Sequence, residues 1–439
     1  MRAGGTRAPD GLDAIDATID EHRSTYVARL SSLVREAAAG ESHVVRWVAR
    51  HLGALGCQVE VVASRAADVS ASDERVHPEL IDATARESVV GRLPGRGAGR
   101  SLLLFCHHDT ERVTGLEAWR HPPFAADEVE GRMIGWGIAD DLAGVAILVC
   151  ALDAVQRSGS LAGAVIAAST PSKRHARGIV AVLRGGHTAD GAVYLHPAES
   201  GNGLRDIKAV TPGLARFRVT THGRPAPTQE PEQTPFRREA VNPIDAATEI
   251  VRTLAALNRQ LAREMPHPLI ETRGDSVSML IGHVAAGAPD RAARVPETCT
   301  LTGSVSFPPG IRPSTIVTRV EQAVMDATAA DWHRVARRPT IEWLAVLPGA
   351  EISSGHPLCD AASRAIERVT GLAPAINPLH AASDIRHPIL AGIPCVGFGP
   401  RCGNLVQAGG SDEWVDVEDY LRAINVTAHL IVDWCGRGV

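Results

Sequence analysis

The sequence lacks the features that mark membrane, secreted and nucleic-acid-binding proteins. It has no apolar run long enough to span a bilayer, and its first ten residues carry two arginines without the apolar segment of a signal peptide. It has no excess of basic residues, because the formal net charge is −5, which argues against nucleic acid and anionic membranes as partners. Its eight cysteines include no CxxC pair and favour reduced thiols over a disulfide framework. We therefore expect a cytoplasmic protein that acts on a small-molecule substrate.

Strands and helices alternate through the first part of the chain, which is typical of an α/β fold. The predicted buried strands lie at 102–105, 164–168 and 191–195, with predicted helices at 142–155 and 178–183 between them. This alternation predicts a mostly parallel sheet that is covered by helices on both faces.

The pattern changes near residue 213. The alternating segment 214–221 predicts a strand, and helix, strand, strand and helix patterns follow it up to residue 327. A run of this kind inside an α/β protein predicts an inserted, smaller α+β domain. With 439 residues the chain is long enough for two domains, and we place the first at 1–212 and 331–439 and the inserted one at 213–330.

Two short segments place a histidine and an aspartate at one edge of the predicted sheet. His107 and Asp109 follow the first buried strand with one residue between them, so their side chains leave the strand end on the same side. Asp140 and Asp141 end the Gly-rich segment GWGIADD, just before a predicted helix. Ligands of α/β proteins bind at the carboxyl ends of the strands, where we expect both segments. Each segment alone has a simpler explanation, since an HxD triplet arises by chance and paired aspartates favour a helix N-terminus.

Several further motifs follow these two segments in a defined order. They are Ser383-Asp384-Ile385-Arg386, Gly392-Ile393-Pro394 and Asp412-Glu413-Trp414. With them, nearly the whole chain resembles the aminoacylase and acetylornithine deacetylase family of zinc metallopeptidases, which includes succinyl-diaminopimelate desuccinylase. The resemblance implies a zinc-binding α/β domain interrupted by a smaller lid domain through which members often dimerise. It also implies hydrolysis at two zinc ions that share one bridging aspartate, with a glutamate as general base.

The resemblance implies that one of these two metal sites is complete. Its ligands would be His107, Asp140 and His196, where His196 takes the place of an acidic residue before a proline. Two imidazoles and one carboxylate suit zinc, and also Mn(II) or Fe(II). Asp109 would orient His107 rather than bind the metal, and a cis peptide bond is implied after Asp140. We therefore expect one divalent metal ion per chain, with zinc as the first candidate.

The same resemblance implies that the second metal site is lost. Ser172 and Lys173 occupy the positions of a glutamate pair that supplies the general base and a metal ligand. Gln407 begins the segment in which a further histidine ligand is expected, and Pro227 stands where a histidine of the inserted domain would stabilise an oxyanion. We expect Lys173 to contact Asp140 in place of the missing cation.

The remaining candidates leave alternatives open. Lys173 and His175 belong either to a solvated basic turn or to a rebuilt site, in which Lys173 replaces a cation and His175 replaces the lost base. Arg386 is a candidate clamp for a substrate carboxylate, because a guanidinium group binds carboxylates through two hydrogen bonds. The candidate catalytic residues are thus Asp109, Ser172, Lys173 and His175.

These residues indicate a metal-dependent hydrolase with a one-metal site that acts on an amide bond of a small N-acyl amino acid or peptide-like substrate. The resemblance also predicts a homodimer through the inserted domain. One alternative is a non-hydrolytic enzyme on the same fold, such as a lyase, isomerase, cyclase or condensing enzyme of specialised metabolism. The other is a non-catalytic binding protein. Loss of the general base favours the non-hydrolytic enzyme. Retention of His107, Asp109 and Asp140 argues against the non-catalytic binding protein.

Overall fold

The computed structural model of the chain divides into two units. It describes residues 11–69, 71, 73–197, 200–225, 240–292, 294–329 and 336–438. The first unit comprises Met1–Ala71, Ile81–Val210 and Glu351–Val439, and the second comprises Ser72–Leu80 and Thr211–Ala350. Two short strands, Val210–Thr211 and Ala350–Glu351, lie where the chain passes from one unit to the other.

A six-stranded sheet forms the centre of the first unit. Its strands, in spatial order, are Gln58–Arg65, Ala85–Leu93, Val165–Thr170, Leu102–His107, Ala192–Leu195 and Cys395–Phe398. The last four run parallel, with Leu104 opposite Ala167 on one side and Val193 on the other. The second strand is antiparallel to both of its neighbours. The predicted α/β fold with a mostly parallel sheet is therefore confirmed, and the carboxyl ends of four strands meet at one edge.

Helices cover both faces of this sheet. They are Gly11–Glu21, Arg23–Ala38, Glu41–Ala54, Ala143–Ser158, Gly178–Arg184, Pro357–Thr370, Arg386–Leu390 and Val417–Cys435. Leu104 packs into the hydrophobic cluster on one face and Phe105 into the cluster on the other, as expected of a strand buried on both sides. Every residue from 143 to 155 is buried, which is typical of a central helix. Among the helices that the structure describes, none combines the length and apolar character needed to cross a membrane.

Two smaller sheets in the first unit bring distant chain segments together. Asp127–Val129, Arg132–Ile134, Trp414–Asp416 and Cys402–Gly403 form a four-stranded antiparallel sheet. Asp206–Ile207 and Ala375–Ile376 form a parallel pair. The four-stranded sheet places Glu413 beside the Gly-rich turn, where Gly135 donates its N–H to the carbonyl oxygen of Glu413 at 2.9 Å.

The second unit is built on a five-stranded antiparallel sheet. Its strands, in spatial order, are Ser278–Ala286, Thr298–Phe307, Gly213–His222, Arg337–Leu347 and Arg75–Val76. Its helices are Pro243–Glu264, Pro268–Glu271 and Pro313–Ala329. Phe217 and Val305 of the sheet share one hydrophobic cluster with Ile250 and Val320 of the two long helices. The predicted α+β composition of the inserted domain is confirmed.

The second unit extends beyond the predicted boundary at residue 330. Arg337–Leu347, which the sequence places in the resumed first domain, pairs with Gly213–His222 of the second unit. The unit therefore ends at Ala350. It also includes Ser72–Leu80, whose strand Arg75–Val76 pairs with Arg337–Leu347. A strand pattern in the sequence shows that a strand forms but not which strand it pairs with, so the boundary was placed too early.

Candidate metal centre

Three neighbouring parallel strands deliver the candidate residues to one edge of the sheet in the first unit. Leu102–His107 ends on His107, and Ala192–Leu195 is followed directly by His196. Val165–Thr170, which lies beside Leu102–His107, leads into the loop that begins at Ser172. All residues of the three strands are buried, so a packed core fixes the positions of their ends.

Asp140 reaches the same edge from the Gly-rich turn before the central helix. The peptide bond between Asp140 and Asp141 is cis, as the resemblance implies. Gly137 in this turn has a φ of +66°, and a Cβ there would come within 2.2 Å of the Thr110 side chain, so the position requires glycine. Asp141 accepts the N–H of His107 at 3.1 Å, which ties the turn to the strand end.

The three predicted ligands lie together. One potential ligand atom from each of His107, Asp140 and His196 lies within 4.8 Å of the other two. Oδ1 of Asp140 is 2.8 Å from Nε2 of His107 and 3.2 Å from Nε2 of His196. Each of the three residues is at most 3% exposed. Two imidazole nitrogens and a carboxylate that converge in a buried site fit a divalent metal ion such as zinc.

The ionisation of these groups is mutually dependent. Burial by itself raises the pKa of Asp140, but hydrogen bonds from His107 and His196 and the charge of Lys173 hold it well below its usual value. Burial by itself lowers the pKa of His107, whereas Asp109 and Asp140 raise it well above its usual value. In the absence of metal, an ionised Asp140 therefore pairs with a protonated His107, and a metal ion bound there would displace the proton of that ring.

Asp109 connects His107 with the loop that follows the neighbouring strand. Nδ1 of His107 lies 3.0 Å from the carbonyl oxygen of Asp109 and 3.3 Å from its Oδ1, which also accepts the N–H of Ser172 at 2.9 Å. Oδ2 of Asp109 accepts the N–H of Lys173 at 2.7 Å and a hydrogen bond from Arg86 at 2.8 Å. Asp109 thus holds the ring of His107 and the start of this loop at the same time, which is the orienting arrangement that the sequence predicts.

Lys173 directs its ammonium group at the cluster of His107, Asp140 and His196. Its Nζ donates hydrogen bonds to Oδ2 of Asp140 and, at 3.1 Å, to Oε1 of Gln407, and it lies 3.5 Å from Oε1 of Glu111. The side chain is 10% exposed. Burial by itself lowers the pKa of Lys173, but the attraction of Asp140 outweighs this effect and raises it to about 12. The predicted contact between Lys173 and Asp140 is confirmed, and it includes Gln407 from the segment in which a histidine ligand is expected.

Ser172 and Arg386 both contact Asp384. Oγ of Ser172 donates to Oδ2 of Asp384 at 2.6 Å. Arg386 is 5% exposed, and its Nη1 donates to Oδ1 of Asp384 at 3.1 Å and to the carbonyl oxygen of Ala382. Burial by itself raises the pKa of Asp384, but His387 and Arg386 lower it to about 2. The guanidinium group of Arg386 is thus engaged within the fold, and its role as a substrate clamp stays a prediction.

The turn that carries His175 has an unusual backbone. Arg174, His175 and Arg177 have φ values of +56°, +53° and +57°, in the left-handed region that residues with a Cβ rarely adopt. Arg177 anchors the turn by donating to the carbonyl oxygen of Val69 at 2.7 Å. Strain of this kind persists where a loop has to aim a side chain, and this turn directly follows Lys173. The role of His175 as a base stays a prediction.

Two buried basic residues, neither of them predicted from the sequence, contact the cluster or its neighbour Asp109. Arg86 pairs with Asp109, which in turn contacts His107. Lys208 is fully buried. Its Nζ lies 3.0 Å from Nδ1 of His196 and 2.9 Å from the carbonyl oxygen of Pro197. Neither Arg86 nor Lys208 belongs to a recognisable motif, so no local pattern could have identified them.

Glu413 supports the turn that carries Asp140, a role that was not predicted from the sequence. Its Oε1 accepts the N–H groups of Ala139 at 2.8 Å and Asp140 at 3.2 Å, and its Oε2 accepts the N–H of Val406 at 3.0 Å. Burial raises the pKa of Glu413 to about 8. The Asp412-Glu413-Trp414 motif marks this segment in the sequence, but it does not show which N–H groups the Glu413 carboxylate accepts.

Comparisons with known sequences find a matching family profile and a relative that aligns along almost the whole chain. Residues 103–433 match the sequence profile of peptidase family M20/M25/M40. The N-formyl-4-amino-5-aminomethyl-2-methylpyrimidine deformylase of Bacillus subtilis (strain 168) is 22% identical over 442 residues, which cover 97% of this chain and 98% of the deformylase.

Comparisons with solved structures show the same fold. Human carnosine dipeptidase 1 superposes with a TM-score of 0.71 at 15% identity, and the match covers 98% of this chain and 100% of the dipeptidase chain. The Bacillus subtilis YXEP protein, a dinuclear metal binding peptidase from the M20 family, superposes with a TM-score of 0.60 at 17% identity, covering 94% of this chain and 100% of that one.

Proposed function

The chain belongs to peptidase family M20/M25/M40, and we propose that it is a hydrolase that cleaves an amide bond of a small N-acyl amino acid or peptide-like substrate with one metal ion. The observation that carries this proposal is the buried cluster of His107, Asp140 and His196, in which both rings direct Nε2 at the same carboxylate oxygen. Two of the similar proteins are named as a deformylase and a dipeptidase, and both names describe cleavage of an amide bond.

The residues around the cluster hold the ligands in place. When bound, a divalent metal ion, zinc in the first place with Mn(II) or Fe(II) as alternatives, would polarise the amide carbonyl as a Lewis acid. Asp109 fixes the ring of His107 through Nδ1, and Lys208 contacts the corresponding nitrogen of His196. Partners on the outer ring nitrogen set the orientation of metal-binding histidines.

The position of Lys173 supports a site for one metal ion rather than two. Oδ1 of Asp140 faces both histidines, whereas Oδ2 binds the ammonium group of Lys173. That ammonium also binds Gln407, so this side of Asp140 already holds a positive charge among oxygen atoms. A second metal ion at the same oxygen would be repelled by this charge at short range.

Protein purified without chelator should contain about one divalent metal ion per chain. The His107→Ala, His196→Ala variant should lose it, because only Asp140 of the three donors would remain. Elemental analysis measures both metal contents. A His43→Ala, His187→Ala variant, which removes two histidines outside the cluster, should keep the ion. Two metal ions in the wild type, or full occupancy without the two cluster histidines, would contradict the one-metal site.

Amide cleavage tests the reaction itself. N-formyl, N-acetyl and N-succinyl amino acids and dipeptides are incubated with metal-loaded wild-type protein, and the free amine that they release is measured. Because the family's general-base glutamate is replaced, we expect only slow release from at least one of these classes by the wild type, well below the kcat of about 10 s⁻¹ that is usual for enzymes, and none by the variant without the two cluster histidines. If fully loaded wild-type protein releases amine from none of them, the hydrolase proposal is wrong.

One observation favours a second candidate function. Oγ of Ser172 donates to Asp384, so the residue in the position of the general base is a hydroxyl donor and not a carboxylate. A site of this kind suits a lyase, isomerase, cyclase or condensing enzyme, in which attack by water would be a side reaction. Pro227, the predicted replacement of an oxyanion-binding histidine, lies outside the described residues. Products other than a free acid and an amine would identify such a non-hydrolytic enzyme. Purified protein that contains no metal ion would instead indicate a non-catalytic binding protein.

We also propose a homodimer through the second unit. Ser278–Ala286 is an edge strand of the five-stranded sheet, and it leaves Leu280 and Val284 65% and 59% exposed. An exposed apolar edge strand is a template for pairing with another chain, which charged side chains prevent. The Leu280→Lys, Val284→Lys variant should be a monomer by light scattering, and the Val113→Lys, Leu116→Lys control in the first unit should remain a dimer. A monomeric wild type would contradict this proposal.

A further inference from the structure

The carboxylates around the cluster of His107, Asp140 and His196 differ in their hydrogen bonds to the rest of the protein and in their exposure. Asp109 accepts two backbone N–H groups and a guanidinium group, and it is 2% exposed. Asp384 binds Ser172 and Arg386, and Glu413 accepts three backbone N–H groups at 0% exposure. Asp141, which accepts the N–H of His107, is also 0% exposed. Asp109, Asp141 and Glu413 are closed to water, whereas Asp384 is 15% exposed but is held by Ser172 and Arg386.

Glu111 differs from these carboxylates. Its side chain is 37% exposed, and its Oε1 lies 3.5 Å from Nζ of Lys173. The same ammonium group binds Oδ2 of Asp140, so the ammonium group of Lys173 links the carboxylate of Glu111 to the cluster of His107, Asp140 and His196. Glu111 therefore combines a contact with Lys173 at the cluster with access to water, and a base that activates water has to reach the water molecule whose proton it takes.

The backbone of Glu111 is fixed although its carboxylate is open. Its carbonyl oxygen accepts a hydrogen bond from Nε1 of Trp136 at 3.0 Å. Trp136 is 2% exposed, stacks on Trp119 with ring centroids 5.5 Å apart, and belongs to the same Gly-rich turn as Asp140. Glu111 is thus attached to the turn that supplies the shared carboxylate ligand. A base held in this way needs little rearrangement before the reaction.

We propose that Glu111 is the catalytic base of this site, an inference that rests on the proposed hydrolase function. One proton of the attacking water moves to the Glu111 carboxylate while the water oxygen bonds to the amide carbon. The proton then passes to the leaving nitrogen as the carbon–nitrogen bond breaks. The products are a carboxylic acid and an amine, and the carboxylate of Glu111 is regenerated without any further reactant. Lys173 is a positioning residue, because its ammonium group contacts Glu111 and Asp140 together.

The Glu111→Gln variant tests the inference in the metal-loaded full chain, with the N-acyl amino acid or dipeptide that the wild type cleaves. Its kcat should fall about 100- to 10,000-fold, the usual contribution of a general base. Its metal content and melting temperature should stay at the wild-type values, and calorimetry should show that it still binds the uncleaved substrate. The Glu117→Gln control changes an exposed glutamate further along the same segment and should keep the wild-type kcat.

Chemical rescue separates a base from a merely structural carboxylate. The Glu111→Ala variant should be inactive and should regain activity in sodium formate, but not in sodium chloride of the same ionic strength. A Glu111→Gln variant with wild-type kcat, with less bound metal or with a lowered melting temperature would overturn the inference, as would a Glu111→Ala variant that formate does not rescue. All of these results leave the hydrolase proposal intact. That proposal fails separately if the wild type cleaves no amide.

Discussion

The Ser172→Glu, Lys173→Glu, Gln407→His variant should bind two metal ions per chain where the wild type binds one. These substitutions restore the glutamate pair that the family resemblance assigns to the base and to a metal ligand. They also place a histidine in the segment where a further ligand is expected, at Gln407, which already contacts Lys173. They also remove the ammonium group from Oδ2 of Asp140, which then becomes available as a bridging oxygen. Elemental analysis along a zinc titration measures the change in stoichiometry.

The Ser172→Glu, Lys173→Glu variant is the matched control. It should still bind one metal ion, because the histidine ligand is missing. Without metal it should be less stable than the wild type, since a new carboxylate would face Asp140 with no cation between them. A folded triple variant that binds a single metal ion would show that Lys173 and Gln407 do not occupy the place of the second one.

Lys173→Ala should lower the free energy of unfolding of the metal-free protein by about 3 kcal/mol, because it removes the cation from a buried carboxylate. Asp140 is 2% exposed, so water cannot replace the lost ammonium group easily. Zinc should restore part of the loss, because a ligand that binds only the folded state stabilises it. Urea unfolding in chelator, and again in zinc, measures both effects.

Two further variants show whether the charge of Lys173 is responsible. Lys173→Met keeps most of the side-chain length but removes the charge, and it should lose as much stability as Lys173→Ala. Gln407→Ala removes one hydrogen bond of the ammonium group and should lower the free energy of unfolding by about 1 kcal/mol. If Lys173→Met were as stable as the wild type, the ammonium group would not be stabilising Asp140.

Of the three cluster residues, His107 and Asp140 could be predicted from a local pattern, whereas His196 was assigned through the family resemblance, and their role as metal ligands stays a prediction. His107 and His196 come at the ends of buried strands, and Asp140 lies in a Gly-rich turn before an apolar helix. Strand ends and turns are properties of a few consecutive residues, so a single sequence reveals them. The contact between Lys173 and Asp140 could be predicted from charge, since a cation was missing beside a carboxylate that would otherwise be left half-paired.

Contacts between distant segments could not be predicted in this way. Lys208 reaches His196 because its backbone pairs with Gly397, where a Cβ would come within 2.9 Å of the lysine Cε. This arrangement depends on which segments lie side by side, and a strand pattern does not specify that. The same gap led to the placement of Arg337–Leu347 in the first domain, although it pairs with Gly213–His222. The homodimer and the cytoplasmic location stay predictions.

A cation that is part of the polypeptide cannot be diluted away or removed by a chelator. When metal is scarce, the loaded fraction of a site that needs two ions falls with the square of the free metal concentration, whereas a site that needs one falls in direct proportion. With Lys173 beside Asp140, the protein would stay loaded at a lower metal supply and would lose its ion in a single step. In the proposed one-metal site, the side chain of Lys173 thus provides one of the two positive charges around Asp140.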